Sequence, residues 1–225
     1  VFLNLELQTM LSIQTCQTGS LPPTGEPATK RQRASAQLHA LQKLSVALHG
    51  PQSGERDALE KFIRDRFYQV HHATIKHFMP DLMSIRDTQH QLLAACGLRW
   101  AANDALFLET YLDGPVENVL SNVVGKPIGR QTIVEVGNLA VQHPYYIRTL
   151  LAGLSRYLHT THTDWVVFTG ITSLYNAMKK LNMPLYVLGR AGLERLPEED
   201  RAGWGSYYDD HPQVLAIPRM RSASC

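Results

Sequence analysis

The chain of 225 residues is 44% hydrophobic and carries 22 Lys and Arg against 20 Asp and Glu. That length and apolar content support one sizeable core with an extension, and the near-balance of charge excludes a net field that would draw the chain to nucleic acid or to an anionic membrane. Three widely spaced cysteines, Cys16, Cys96 and Cys225, make neither a disulfide framework nor a thiolate metal site and point to a reducing, cytoplasmic setting.

Residues 1–43 read as a flexible N-terminal extension and 44–225 as the folded domain, because "QTGSLPPTGEPATKRQRASAQL" is dense in Gly, Pro, Ser, Thr and charge. The opening residues are mildly apolar but lack the basic region and sustained apolar run of a secretory leader. Nowhere does the sequence reach the roughly 18 apolar residues of a membrane span. "KLSVALHG" is a short strand ended by Gly50 and Pro51. Beyond it Leu59, Ile63, Phe67, Val70, Thr74 and Phe78 recur at spacings of three and four, which predicts one long helix stopped by Pro80. His71, His72 and His77 on that stretch are not spaced to converge with further ligands, so no metal site is expected.

"HQLLAACGLRWA" (90–101) and "ALFLETYLD" (105–113), joined by a tight polar link, predict an antiparallel hairpin. Pro115 opens a short helix through Val116, Val119, Leu120 and Val123, and "GKPIGR" breaks it. "TIVEVGNLAV" (132–141) is a buried strand, and Pro144 starts a helix carrying Ile147, Leu150, Leu151, Leu154 and Leu158 at a 3.6 period. "DWVVFTGI" (164–171) is a fully apolar strand. "TSLYNAMKKLN" is a helix with Thr172 as its cap and Leu174 and Met178 inward, and "PLYVLGR" and "QVLAIP" are strands. The order β, α, β, β, α, β, α, β, α, β, β gives an α/β (α+β) fold, a mixed sheet with helices against it.

Glu135 stands among Ile133, Val134 and Val136. An ionised carboxylate there costs several kcal/mol unless paired, and burial raises its pKa toward the range of a general base. The alternative is a partly solvated strand residue or a salt bridge to Arg99, Arg130 or Arg148. Asn138 falls on the opposite face of an ideal strand from Glu135 unless Gly137 marks a bulge. Cys96, amid Leu92, Leu93 and Leu98, reads as an inert buried thiol rather than a nucleophile. No serine-centred elbow, Walker loop or dinucleotide fingerprint appears.

The element order is similar to that of the GNAT acyltransferase superfamily. "IVEVGNLAV", "DWVVFTG", "LYNAMKKLNMPLYVLGRA" and "WGSYYDDHPQVLA" resemble the thermostable hemolysin family, which is grouped with those acyltransferases. The overall cast is also similar to the autoinducer synthases, which share a strand with an acidic residue. The resemblance implies a largely antiparallel sheet with a splayed central pair, strands 132–141 and 164–171, where an acyl thioester lies. It implies acyl-CoA or an acyl-carrier thioester as co-substrate, with nothing tightly bound. The strand at Leu139, Ala140 and Val141 would pair with the pantetheine arm, and His143, Tyr145 and Tyr146 at the next helix start would receive the phosphates. Asn176 is placed against a donor carbonyl or on a solvated helix surface.

The activity implied is transfer of the acyl group to a small-molecule amine in biosynthesis, with an acyl carrier protein as a possible partner. Glu135 would act as base with Asn138 beside it. Glu109 and Tyr111 would line the acceptor side or a wet edge, Trp100 would roof the acyl chain or fill the core, and Trp204 and Tyr207 would close the cleft or fold as a lid. Two departures stand out. "VQHPYYIR" lacks a glycine-rich phosphate turn and its proline removes a donor, and Met178 occupies the place of the superfamily's usual tyrosine acid. They keep open a second reading, a non-catalytic module that binds an acyl group or a partner. A membrane-active hemolysin follows from the family's name alone.

Overall fold

The computed structural model describes residues 44–180 and 183–219. The extension expected over 1–43, with Cys16, and the last residues, with Cys225, lie outside them. Seven strands form one sheet in the order β1 (Ser45–His49), β2 (Asp81–Arg86), β3 (Leu92–Trp100), β4 (Ile133–Val141), β5 (Trp165–Gly170), β7 (Gln213–Pro218) and β6 (Tyr186–Arg190). Only β4 and β5 run parallel; the other neighbours are antiparallel. A parallel pair needs a long crossover, supplied here by α3 (Ile147–Leu158). The other principal helices are α1 (Arg56–His71), α2 (Val116–Val124) and α4 (Thr172–Lys180). This is the mixed, largely antiparallel sheet flanked by helices that the sequence implies.

Side chains alternate across the strands, and the alternation divides the core. Cys96, Leu98, Val134, Val136 and Val166 meet Leu150, Leu154 and Leu158 of α3 on one face. On the other, Leu82, Ala95 and Ala140 meet Leu59 and Ile63 of α1, and Ile133, Val167 and Val214 lie under Leu106, Leu108, Val116 and Leu120. Each fully buried Leu or Ile stabilises by about 1.5–3 kcal/mol, so these contacts hold the helices to the sheet.

Three local expectations need correction. First, α1 stops at His71 rather than running to Phe78. His72 turns left-handed (φ 54°) and its N–H donates to the Tyr68 carbonyl at 2.9 Å, a left-handed cap formed without glycine. Past the cap, buried Ala73 and Ile75 alternate with exposed Thr74 and Lys76, so the period has changed from 3.6 to 2. Val70 and Thr74, expected on the apolar stripe, are exposed.

Second, the hairpin consists of β2 and β3, and residues 107–111 are a 3-10 helix, not a strand. Two carboxylates take the segment's backbone donors, which a neighbouring strand would otherwise need to pair: Glu135 accepts from the N–H groups of Phe107 and Leu108, and Glu109 from those of Leu106 and Val116. Glu109 and Tyr111 therefore share no strand face, and neither is an exposed edge residue. Third, Thr172 does not cap α4; its hydroxyl donates to the carbonyls of Asp210 and His211.

A candidate site where two parallel strands part

The register of β4 with β5 runs from Ile133–Trp165 to Val136–Phe168 and ends there among the described residues. Beyond that point β4 continues to Val141 on β3 alone, while β5 continues to Gly170 on β7 alone. The cause lies in β4 itself. Its pairing with β3 slips between Ala95 and Gly97, opposite Gly137 to Ala140, and Asn138 takes φ +50°, a conformation asparagine tolerates better than most residues. This bulge bends the strand away from β5. Above it, the Gln142 N–H donates to the Leu93 carbonyl at 2.8 Å. Two-residue alternation then turns the peptide groups of Leu139 and Val141 away from β3, into the gap.

Glu135 lies one residue before the parting and is 2% exposed. Its carboxylate accepts from Phe107 N–H at 2.8 Å and from Leu108 N–H at 3.0 Å, one bond on each oxygen. Its pKa is raised to about 7: burial pushes it up most, the two amide bonds and the charge of Arg99 pull it partly back down, and Glu109 adds to the rise. No ion pair to Glu135 forms among the described residues: Arg130 is committed elsewhere, and the side chain of Arg148 lies outside them. Arg99 stands directly across from Glu135 in the β3–β4 register. Its Nη1 donates to the Ala105 carbonyl at 3.0 Å, and its buried Nε has no partner among the described residues.

Glu109 belongs to a different cluster. Arg130 donates from Nη1 to Glu109 Oε1 (2.6 Å) and Glu117 Oε2 (2.7 Å), from Nη2 to Glu109 Oε2 and the Asp104 carbonyl (both 3.0 Å), and from Nε to the Ala101 carbonyl (2.7 Å). That uses the whole donor set of a guanidinium. Burial pushes the Glu109 pKa up, but the Arg130 bond and the two amides outweigh it and hold the group below its ordinary value. A cleft of about 420 Å³ opens beside this cluster, lined by Glu109, Leu112, Pro115, Glu117 and Arg130, but not by Glu135, Leu139 or Val141.

The remaining residues separate by face. The bulge brings Asn138 to the same face as Glu135, but its amide is committed to the crossing chain. Oδ1 accepts from Met79 N–H at 2.8 Å and Nδ2 donates to the His77 carbonyl at 3.3 Å. Tyr111, on this face too, shares a short hydroxyl hydrogen bond (2.5 Å) with Tyr208 and is buried. Burial, with the neighbouring Tyr208, pushes its hydroxyl far up, and the Tyr208 hydroxyl is raised to about 12. Trp204 and Tyr207 join the same aromatic stack, with ring centroids 5.4 Å apart, and Trp204 packs on Phe107.

Trp100 lies on the opposite face, edge-on to Tyr157 of α3. Leu139 and Val141 are half-buried toward α3, and Ala140 is buried toward α1. At the start of α3, Tyr145 N–H donates to His143 Nδ1 and Tyr146 N–H to the His143 carbonyl, so two amides of the expected phosphate site are already engaged. Asn176 is exposed on α4. Cys96 is fully buried and its thiol is pushed up to about 12 by burial, which makes it unreactive. Met79 has no sequence signal of its own, and the glycines beneath it, Gly97 and Gly137 within apolar strands, are the available clue; Arg99, one of the expected ion-pair partners, stands across from Glu135 without bonding it.

A family model described as thermostable hemolysin matches residues 49–223. No curated protein matches the chain. Among solved structures the chain is similar to BjaI, a CoA-dependent acyl-homoserine lactone synthase solved with SAM and isopentyl-CoA. The TM-score is 0.53 at 12% identity, over 80% of this chain and 84% of that one. It is also similar to the AHL synthase LasI (0.51, 12%, 79% and 90%) and to FeeM, an N-acyl amino acid synthase from uncultured soil microbes (0.51, 13%, 79% and 92%). At such identities the likeness establishes the fold, a GNAT-like sheet. Among the described residues no helix is long and apolar enough to cross a membrane, and no three His, Cys, Asp or Glu side chains group to hold a metal.

Proposed function

We propose, from the premise that the chain belongs to the thermostable hemolysin family, that it is an acyltransferase carrying an acyl group from a thioester donor to an amine. The observation that carries this reading is the end of β4–β5 pairing at Val136 and Phe168, directly after buried Glu135. A donor arm laid in the gap completes the unpaired strand edge through Leu139 and Val141, and a backbone N–H there polarises the thioester carbonyl. The amine nitrogen attacks the carbonyl carbon, the C–S bond breaks, and the amine's proton passes to Glu135, directly or through water, and then to the departing thiolate. Products are an amide and a free thiol. Each Glu135 oxygen accepts one main-chain bond and keeps a lone pair for this transfer, and a carboxyl titrating near 7 is matched to base catalysis at neutral pH.

The similar structures support the substrate classes: FeeM is an N-acyl amino acid synthase, and BjaI was solved with an acyl-CoA. The amides of Tyr145 and Tyr146 are spent on His143, which favours a carrier-protein thioester over free coenzyme A. The cytosol is the proposed compartment, in keeping with a buried, unpaired Cys96.

The test follows thiol release from acyl-CoA and acyl-carrier-protein thioesters against a panel of amines that includes amino acids. The expected result is release that requires both donor and amine. The engaged amides at 143–146 favour the second reading, a binding module, and donor binding with no release for any amine would establish it instead.

A further inference from the structure

Gly97 and Gly137 face one another across β3 and β4, and one side chain lies over both. A Cβ added to Gly97 would stand 2.5 Å from Met79 Cβ and 2.6 Å from its Cγ; a Cβ added to Gly137 would stand 2.5 Å from Met79 Cε. A side chain at Gly97 would overlap the Met79 stem and Asn138 Oδ1, and one at Gly137 would require the methyl end of Met79 to move aside. The bare backbone forms a groove across the sheet, and the Met79 side chain fills it lengthwise, stem over β3 and methyl end over β4. The main chain of Met79 is pinned on both sides: its N–H donates to Asn138 Oδ1 at 2.8 Å, and its carbonyl accepts from Arg56 Nη2 at 2.7 Å. Gly137 is the first β4 residue beyond the β5 pairing, and Glu135 lies two positions before it on the same face. The methyl end of Met79 therefore stops at the apex of the parting strands.

We infer that this groove is the continuation of the acyl-chain site and that Met79 sets how far a linear acyl chain reaches. The inference rests on the acyltransferase reading. A methionine side chain has the width and flexibility of a short polymethylene chain and no branch. A groove that accepts it over two bare glycines accepts an unbranched alkyl chain and excludes a branched one. Asn138 acts as a positioning residue, holding the main chain of Met79 from the bulge that also parts the strands.

The experiment measures binding of S-alkyl coenzyme A thioethers from ethyl to decyl, and transfer from the matching linear acyl thioesters, with the full chain and Met79→Ala. Removing the side chain beyond Cβ opens about three methylenes of length. The preferred chain should lengthen by about that much, and the long-to-short ratio should rise about tenfold or more. Adding Gly137→Ala to Met79→Ala puts a methyl back on the groove floor and should return the preference toward short chains. Met79→Val, which removes fewer atoms, covers the case in which Met79→Ala does not fold and should shift the ranking the same way by less.

Transfer or thioether binding with the same chain-length ranking in wild type and variants overturns the role of Met79 while leaving the acyltransferase reading intact. Absence of both binding and thiol release in every protein overturns the two together.

Discussion

Two carboxylates hold the same short helix, half-buried Glu109 from within it and buried Glu135 from β4, and they differ in what neutralises them. Glu109 is met by a guanidinium that spends its donor set on this cluster and on nearby carbonyls. Glu135 has only two amide hydrogens and a more distant Arg99. The first is held below its ordinary pKa and the second is raised to about 7. Two things separate them, depth of burial and counter-charge: Glu109 is half-buried with its lone pairs taken by Arg130 and two amides, whereas Glu135 is buried and keeps lone pairs free beside a gap in the sheet.

Removing the counter-charge is the harshest way to break that contrast. Arg130→Ala leaves Glu109 and Glu117 facing each other and frees two carbonyls, and should cost about 1.5–3 kcal/mol in urea unfolding. A loss under about 1 kcal/mol would mean that packing alone fixes residues 101–117.

Titration sharpens the contrast next, because the two acids act with opposite sign. Folded Glu135 holds its proton more tightly than the unfolded chain does. Its contribution is fully favourable below the unfolded value of 4.5 and is lost as pH rises through about 7. That loss is at most about 3 kcal/mol. Glu109, held down, contributes above its unfolded value, and that contribution is lost on acidification. Denaturant unfolding of Glu135→Gln across the neutral range should lack the high-pH loss seen in wild type; an unchanged slope would place the titration elsewhere.

Asn138→Ala removes two hydrogen bonds and puts a β-carbon residue at φ +50° with no polar side chain to offset it. The expected cost is about 1–2 kcal/mol. Asn138→Gly should cost less, since glycine adopts that conformation freely. Equal costs would deny the bulge its conformational demand. The smallest effect is at Cys96: iodoacetamide followed by peptide mapping should leave it unmodified in the folded protein, and rapid labelling would contradict its burial.

Much of this arrangement could be read along the chain. The strands at Leu92–Trp100, Ile133–Val141 and Trp165–Gly170 announce themselves by apolar runs, and Glu135 is conspicuous as the one acid within such a run. The glycine before Asn138 signalled the bulge. Contacts between distant segments were not legible. The end of α1 is set by a left-handed histidine where glycine would be the usual signal. The 105–113 segment carries a strand-like pattern, yet carboxylates from elsewhere take its donors, so tertiary bonds override local preference. The strand Asp81–Arg86 is hidden in the sequence because Asp81, Ser84 and Arg86 interrupt its apolar pattern, although Leu82 to Ile85 are buried. Met79 itself gave no signal; Gly97 and Gly137 hinted at a close approach, but only the folded sheet brings them together beneath it.

The most direct test of the central claim is the pH dependence of kcat/KM for thioester-to-amine transfer by wild type and Glu135→Gln. Wild-type activity should rise through about pH 7 as Glu135 ionises, and the variant, folded, should be slower by about a hundredfold or more and lack that rise. A folded variant with undiminished activity and the same profile would contradict the account.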